Sequence, residues 1–338
     1  MLMTKLQHLK TRGKVRFITL GKTDIEVSVI CLGAFAIGGF AWGGNDERDS
    51  LEAINTAIDS GINFIDTAPI YGKGLSEEII GKAIKGRRDK VVIASKVGLV
   101  WHVQKGDYFF DYPNGGKIYK YLAPESIQYE IEQSLSRLGT DYIDLYQTHW
   151  QDSTTPIEDT LSTLMDLKKQ GKIRAIGASN ATIKQLKEYN NAGELDADQE
   201  QYNLIDTEQE KKQLPWCKEN KVTMLAYRPL AAGLLTGKLG PEREFKGDDR
   251  RKGDPRFSVK NRTKINSVIE KYFNPIAQKY NLTVAQLSVA ALVSQDGVVS
   301  LSGARNQNQV EENIKAGGVL VEKEDVEKLK SAIKSLNL

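Results

Sequence analysis

Cysteine is almost missing from this chain: two residues in 338, Cys31 and Cys217, far apart in sequence. Neither has a second Cys or a His at metal-ligand spacing, so neither a disulfide framework nor structural zinc has support, and no metal ligand is assigned. Long apolar runs are missing too. No stretch reaches the roughly 20 residues that a bilayer-spanning helix needs. An excess of one charge is also absent, since 47 Lys and Arg face 44 Asp and Glu for a net +3. That balance leaves no electrostatic footprint for nucleic acid or for an anionic membrane. Residues 1–14 are polar and mildly basic. They lack the apolar core of a signal peptide and the Arg and Ser content of a transit peptide. The expectation is a flexible segment over residues 1–14, one domain over residues 15–338 and a reducing, cytoplasmic setting. Common nucleotide signatures are missing as well. No G-x-G-x-x-G occurs, and Gly233-Leu-Leu-Thr-Gly237-Lys238 is one residue short of a P-loop and lacks its Ser/Thr. A doubly wound dinucleotide fold and a nucleotide hydrolase are therefore poor readings.

What the chain does have is a repeat. Eight short apolar runs lie at 29–32, 63–65, 91–95, 142–147, 173–177, 198–201, 222–227 and 298–301. The sixth is the most polar. Apolar residues at helical spacing lie between them. Leu51, Ile54 and Ile58 lead to Gly61. Ile79, Ile80, Ala83 and Ile84 lead to Gly86. Pro124 suits a first helical position, and Ile127, Ile131, Leu135 and Leu138 then lead to Gly139. Leu161, Leu164 and Leu167 lead to Gly171. A Gly can take the left-handed conformation that ends a helix. Strand, helix, glycine, strand implies a parallel α/β sheet. Eight units favour a closed (β/α)8 TIM barrel over an open sheet. Residues 15–19 and 26–30, around Gly21-Lys22, precede the repeat and read as a β-hairpin. Two strand-to-helix connections are long: 97–121 after the third strand and 228–262 after the seventh. In a parallel barrel such loops gather on the C-terminal face, where barrel enzymes keep their sites. The second carries a charged run over 241–257, the composition of a lid or a disordered loop.

The stretch Phe64-Ile65-Asp66-Thr67-Ala68-Pro69-Ile70-Tyr71-Gly72 stands out. Pro69 has no N–H for a sheet ladder, so the strand stops there. Asp66 and Tyr71 can then point into the same space. Taken alone, the pair also reads as a capping Asp and a surface Tyr. Other strand ends add Lys96, then Gln147-Thr148-His149-Trp150, Ser179-Asn180, Glu200-Gln201-Tyr202 and Tyr227. An aliphatic core needs none of these. Tyr is a poor acid at neutral pH, with an ordinary pKa of about 10. A Lys96 cation nearby is expected to lower it, and Asp66 to keep that cation charged. His149 can donate a hydrogen bond to a substrate oxygen. Such a group suits a carbonyl that becomes an alkoxide. The hydride must come from a cofactor, since no side chain supplies one. Trp101 and Trp150 flank the expected mouth and either shape a substrate pocket or serve packing.

On these residues the chain resembles an aldo-keto reductase from about Leu20 to the C-terminus. The matching motifs are Asn63-Phe64-Ile65-Asp66-Thr67-Ala68 with Tyr71-Gly72, Ala94-Ser95-Lys96, Asp141-Tyr-Ile-Asp-Leu-Tyr-Gln-Thr-His149, and Lys172-Ile-Arg-Ala-Ile-Gly-Ala-Ser179-Asn180. Within that family it is most similar to bacterial general reductases and potassium-channel β subunits. Tyr227-Arg-Pro-Leu-Ala-Ala-Gly-Leu-Leu-Thr-Gly-Lys238 and Ser302-Gly-Ala-Arg305-Asn306 with Gln309-Val-Glu-Glu-Asn313 carry this likeness. The resemblance implies NADPH-dependent reduction of an aldehyde or ketone by a tetrad of Asp66, Tyr71, Lys96 and His149, with Tyr71 as general acid. It implies that Ser179, Asn180 and Gln201 hold the nicotinamide carboxamide and that Tyr227 stacks on the ring. It implies pyrophosphate contacts from the 228–238 segment, with Arg228, Leu230 and Lys238. Adenosine-end contacts fall to Gly303, Arg305, Gln309 and Asn313. Arg forks suit phosphate, so Arg305 is expected at a 2′-phosphate, which favours NADPH. The other reading of Arg305 is an exposed salt-bridging residue. Two positions depart from the family pattern: Arg228 where Ser is frequent, and Ser302 where Pro is common.

Two further readings compete. One is a cofactor-binding regulatory subunit with slow turnover, as the likeness to channel β subunits allows. The other is a Schiff-base aldolase with Lys96 as nucleophile, which Asp66 would oppose by keeping the amine charged.

Overall fold

The computed structural model describes residues 11–12, 15–39, 46–113, 115–191, 193–246, 249 and 251–336. Most of the N-terminal segment expected to be flexible, residues 1–10 and 13–14, lies outside them. Before the barrel come β1 Thr11–Arg12, β2 Val15–Thr19 and β3 Glu26–Ser28, and β2 and β3 form the expected antiparallel hairpin. The barrel opens with β4 Ile30–Gly33, β5 Phe64–Asp66 and β6 Val92–Val97. A small antiparallel sheet of β7 Leu99–Val100, β8 Asp107–Asp111 and β9 Lys117–Lys120 interrupts it. The barrel resumes with β10 Ile143–Thr148, β11 Ile173–Ser179, β12 Leu195–Gln201, β13 Thr223–Tyr227 and β14 Val298–Gly303. All its pairings are parallel, and β14 returns to β4 to close the ring.

Helices separate the strands. They are α1 Glu47–Asp59, α2 Leu75–Ile84, α3 Pro124–Leu138, α4 Ile157–Lys169, α5 Ile183–Tyr189, α6 Gln213–Glu219, α7 Val259–Val268, α8 Asn274–Lys279 and α9 Val284–Val293, with α10 Gln307–Gly317 and α11 Lys323–Lys334 after the last strand. The four glycines expected to end helices, Gly61, Gly86, Gly139 and Gly171, all have positive φ. Pro124 starts α3, where its missing N–H is not needed.

One expectation changes. The sixth strand begins at Leu195, three residues before 198. Its outer face carries Asp196, Asp198 and Glu200, all buried, and their polarity disguised the strand. The long connection after β6 holds β7–β9.

Strand alternation sends Phe64, Ala94, Leu145, Ala175, Ala197 and Leu225, one from each of six successive strands, into one interior cluster. Leu20, Ile25 and Val27 of the hairpin join it and close the N-terminal end of the barrel. Each such burial contributes about 1.5–3 kcal/mol. The hairpin is also tied outward. Buried Arg16 donates from Nε to Gly317 O at 3.1 Å and from Nη2 to Val293 O at 2.9 Å. Those carbonyls end α10 and α9, where helix acceptors have no partner of their own. With that end closed, the C-terminal face is the open mouth.

Candidate active site

At the end of β5 the chain turns sharply onto its neighbour. A Cβ on Gly72, whose φ is +70°, would lie 2.5 Å from Gly38 O. A Cβ on Gly38 would lie 2.5 Å from the carbonyl carbon of Tyr71. The two glycines thus let the Tyr71 turn lie directly on the turn Phe35–Gly38. The Tyr71 ring sits edge-on to Phe35 at 4.9 Å and to His149 at 5.9 Å between centroids.

Below it is a buried charge network. Lys96 is fully buried, and its Nζ donates to Asp66 Oδ1 at 2.9 Å, Asp66 Oδ2 at 2.8 Å, Thr67 O at 2.9 Å and Tyr71 OH at 3.2 Å. Gln199 Nε2 donates to Asp66 Oδ1 at 2.8 Å, and Gln147 Nε2 reaches the same oxygen at 3.4 Å. Burial alone would lower the Lys96 pKa, but the Asp66 charge and the bonds to Asp66 and Tyr71 outweigh it, and the net shift is upward. Lys96 is an ammonium at neutral pH. Having no acceptor, it must be the donor to Tyr71, so the phenolic proton is free to point elsewhere.

Tyr71 departs from expectation. Burial raises its pKa, Lys96 lowers it and Asp66 raises it, and the sum is upward. The cation does not win because burial, and after it the Asp66 charge beside Lys96, oppose its field. Tyr71 therefore holds its proton at neutral pH and presents a donor. His149, half-buried at the mouth, has its pKa pushed well below the ordinary value by burial first and by Lys96 second. It is a neutral imidazole with one N–H to donate.

Ser179 and Asn180 end β11 beside this group. Asn180 Nδ2 donates to His149 O at 3.0 Å and to Ser179 Oγ at 3.1 Å, and its Oδ1 accepts from Tyr227 OH at 2.8 Å. Ser179, Asn180 and Tyr227 are thus brought together next to the tetrad. Gln201 turns away from it, donating to Asp206 Oδ2 at 2.7 Å and accepting from Arg228 at 3.4 Å. The strand-β12 amide that reaches Asp66 is Gln199. It sits inside a strand, where no strand-end rule points to it. The available signal was alternation, since Ala197, Gln199 and Gln201 share the lumen face and a polar lumen residue needs a partner.

Leu230, partly buried, follows Arg228, and its carbonyl accepts from Gly233 N at 2.9 Å. The remaining expected cofactor residues gather around the start of α10. Arg305 N donates to Gln309 Oε1 at 2.9 Å, Asn313 Nδ2 donates to Gly303 O at 3.3 Å, and Lys238 pairs with Glu312 at 3.1 Å.

Trp101 and Trp150 both pack on the cluster that contains Tyr71 and Ala68, along with Phe35, Phe109, Phe110 and Tyr112. Phe109 packs at a tilt against Trp150, with ring centroids 5.3 Å apart. The β8–β9 hairpin that supplies Phe109 and Phe110 is pinned on two sides. Asp107 accepts from Ser153 N at 2.9 Å and Ser153 Oγ at 2.6 Å, and Lys73 Nζ donates to Gly115 O at 2.8 Å. No strand-end rule points to these loop aromatics. Among the described residues no helix is long and apolar enough to cross a membrane.

This arrangement can deliver one proton from Tyr71 to an oxygen at the mouth. The Aldo/keto reductase family model matches residues 29–334. The aldo-keto reductase YhdN of Bacillus subtilis is 42% identical over 314 residues, covering 92% of this chain and 91% of that protein. An NADH-specific methylglyoxal reductase of Escherichia coli is 42% identical over 306 residues, covering 88% of this chain and 92% of that protein. Among solved structures, a glycerol dehydrogenase from Gluconobacter oxydans is similar with a TM-score of 0.85 at 35% identity, covering 95% of this chain and 94% of that one. With barrel and family pattern both matched over nearly its whole length, the chain belongs to the aldo/keto reductase family of oxidoreductases.

Proposed function

We propose that this protein is an NADPH-dependent reductase of aldehydes or ketones in the cytoplasm, with Tyr71 giving the proton to the carbonyl oxygen. The observation that carries the reading is the 3.2 Å bond from Lys96 Nζ to Tyr71 OH while Lys96 is held by Asp66. That bond occupies an acceptor site of the phenol and leaves its proton for substrate. Neutral His149 offers a second donor to the same oxygen. The aromatic wall around Tyr71 excludes water from the reacting carbonyl.

The residues present fit a nicotinamide dinucleotide. Ser179 and Asn180 supply hydroxyl and amide groups beside the tetrad for a carboxamide, and the Gln199 amide of the next strand lies against Asp66, whereas Gln201 is held by Asp206 and Arg228 and does not join them. Tyr227 offers a ring face there. Arg228, Leu230 and Lys238 follow along one loop, and Gly303, Arg305, Gln309 and Asn313 surround the start of α10, a helix end that suits a phosphate. When bound, the reduced nicotinamide supplies the hydride that no side chain can provide. A Schiff-base role for Lys96 is opposed by its upward-shifted pKa, because a nucleophilic amine must be neutral. Cofactor oxidation across a panel of aldehydes, ketones and sugars tests the reading. Borohydride trapping with a carbonyl substrate tests the aldolase alternative.

NADPH is expected to bind more tightly than NADH, because Arg305 gains a charge-assisted bond only with the 2′-phosphate. Such a bond contributes on the order of 1.5–3 kcal/mol. Arg305→Ala should shrink the preference and make NADPH affinity less sensitive to salt. The NADH specificity of the Escherichia coli relative makes this a sharp comparison. Equal affinities in the unmutated protein remove Arg305 from the role.

The 228–262 connection should tighten when cofactor binds. Its tip is held chiefly by charged contacts: Arg256 to Asp254 at 2.9 Å and to Asp206 at 3.9 Å, and Arg262 to Arg243 O at 2.9 Å and to Gly240 O. Leu234, Leu235 and Leu239 on one side and Phe257 on the other are buried in the core, and Phe245 packs against Phe257 at 5.7 Å. The charged stretch between these anchors opens locally at smaller cost than the core around it. Trypsin should cut there readily in the free protein and slowly with NADPH present. Unchanged cleavage would show that this loop does not clasp the cofactor.

A further inference from the structure

The three acids on the outer face of β12 lie where a buried barrel strand usually presents aliphatic side chains to its helices. Asp196 has an evident structural task, accepting from Ile176 N at 3.2 Å and Lys22 N at 3.3 Å. Asp198 and Glu200 have no part in the tetrad. Glu200 Oε1 accepts from Ala181 N at 2.8 Å. From α6, Gln213 Nε2 donates to Ala181 O at 3.0 Å. Both peptide groups of Ala181 are thus held from outside the barrel.

Ala181 directly follows Asn180, whose φ of +54° lies in the left-handed region. A non-glycine residue stays there only where its surroundings over-determine it. Asn180 is also the residue that bridges Tyr227 OH and the backbone of His149. A continuous path therefore runs from Glu200 through Ala181 and Asn180 to both sides of the mouth. Asp198 completes the outer layer. It is fully buried, its Oδ2 accepts the Cys217 thiol at 3.6 Å, and its Oδ1 has no hydrogen-bond partner among the described residues. Burial raises the pKa of both acids, and the Glu200 charge raises Asp198 further.

We propose that Glu200 is a positioning residue for the cofactor, its carboxylate locking the Ala181 amide so that Asn180 keeps the left-handed conformation in which it joins Tyr227 to His149. This rests on the proposed reading of the Ser179-Asn180 turn as the nicotinamide side of the site. The path is indirect, so its signature lies in cofactor affinity and not in proton transfer. Glu200→Gln keeps an oxygen to accept from Ala181 N, whereas Glu200→Ala removes it. Gln213→Ala removes the second restraint on Ala181 from a partly exposed position.

The test is fluorescence titration of each full-length variant with NADPH, alongside its melting temperature and the KM and kcat for cofactor and aldehyde. Glu200→Ala is expected to weaken NADPH about tenfold, as loss of one buried hydrogen bond allows, and to raise the cofactor KM by a similar factor with a smaller fall in kcat. Gln213→Ala should move affinity in the same direction by a smaller factor. Glu200→Gln should stay within about threefold of the parent. If Glu200→Ala does not fold, Gln213→Ala and Glu200→Gln decide the matter. Unaltered NADPH affinity in Gln213→Ala and in any folded Glu200→Ala, even with lower melting temperatures, would reduce Glu200 to a structural role and overturn the proposal. So would a Glu200→Gln protein as impaired as Glu200→Ala. Failure of the parent to bind NADPH or NADH would instead remove the functional reading beneath it.

Discussion

Tyr71→Phe is expected to lower turnover about 10²–10⁴-fold while leaving NADPH affinity near that of the parent. The fall corresponds to roughly 3–5 kcal/mol at 1.36 kcal/mol per decade. The substitution removes one oxygen and keeps the ring against Phe35, so the packing at the mouth should survive. Lys96 loses one acceptor but keeps Asp66 and Thr67 O, at 2.8 Å and 2.9 Å. What disappears is the proton for the nascent alkoxide. Stopped-flow or steady-state reduction with the best aldehyde, paired with a cofactor titration, separates the two effects. A mutant within a factor of a few of the parent would sink the assignment of Tyr71 and the tetrad with it. The parent should also show a defined pH profile. Because the Tyr71 pKa is raised above its ordinary value of about 10, its proton-donating form persists across neutral pH. Reduction should be insensitive to Tyr71 through neutrality and decline only as pH rises past about 10.

Lys96→Met should lose at least about 100-fold in turnover, at the lower bound for a general-acid contribution, and should destabilise the protein as well. Met keeps much of the volume but none of the charge. Tyr71 loses the Lys96 charge and hydrogen bond, which favour its ionised form, so it becomes a still weaker acid. Asp66 keeps the amides of Gln199 and Gln147 but loses its cation. Breaking a buried ion pair by removing one partner costs about 3–5 kcal/mol. Circular dichroism, thermal melting and turnover, read together, distinguish loss of fold from loss of chemistry. A mutant with a lowered melting temperature but near-normal turnover at neutral pH would mean that Lys96 holds the barrel together without tuning the acid.

The grouping of Asp66, Tyr71, Lys96 and His149 was legible because each occupies a place that local rules mark. Asp66, Lys96 and His149 stand at the ends of β-runs, and Tyr71 follows a Pro that stops one. Gln199 escaped notice because it lies one position before Glu200 and two before Gln201, inside a strand disguised by its acids. The start of β12 was missed for the same cause. Asp196, Asp198 and Glu200 look like loop residues until the helices that cover them are in place. Phe35, Phe109 and Phe110 come from connections whose paths depend on what they pack against, and their part in the wall around Tyr71 had no signal in spacing.

By itself the sequence determined the eight-fold alternation, the glycines that end the first four helices, and the strand-end placement of Asp66, Tyr71, Lys96 and His149. Those signals are local: side-chain period, the missing N–H of proline, and the backbone freedom of glycine act within a few residues. The tertiary structure alone decided the sign of the Tyr71 shift, which strand-β12 amide reaches Asp66, and how Glu200 bears on Asn180. Each is a balance of burial against charges and hydrogen bonds contributed by residues distant in the chain. Lys96 beside Tyr71 was enough to expect a lower pKa. Burial and Asp66, acting through space, reversed it.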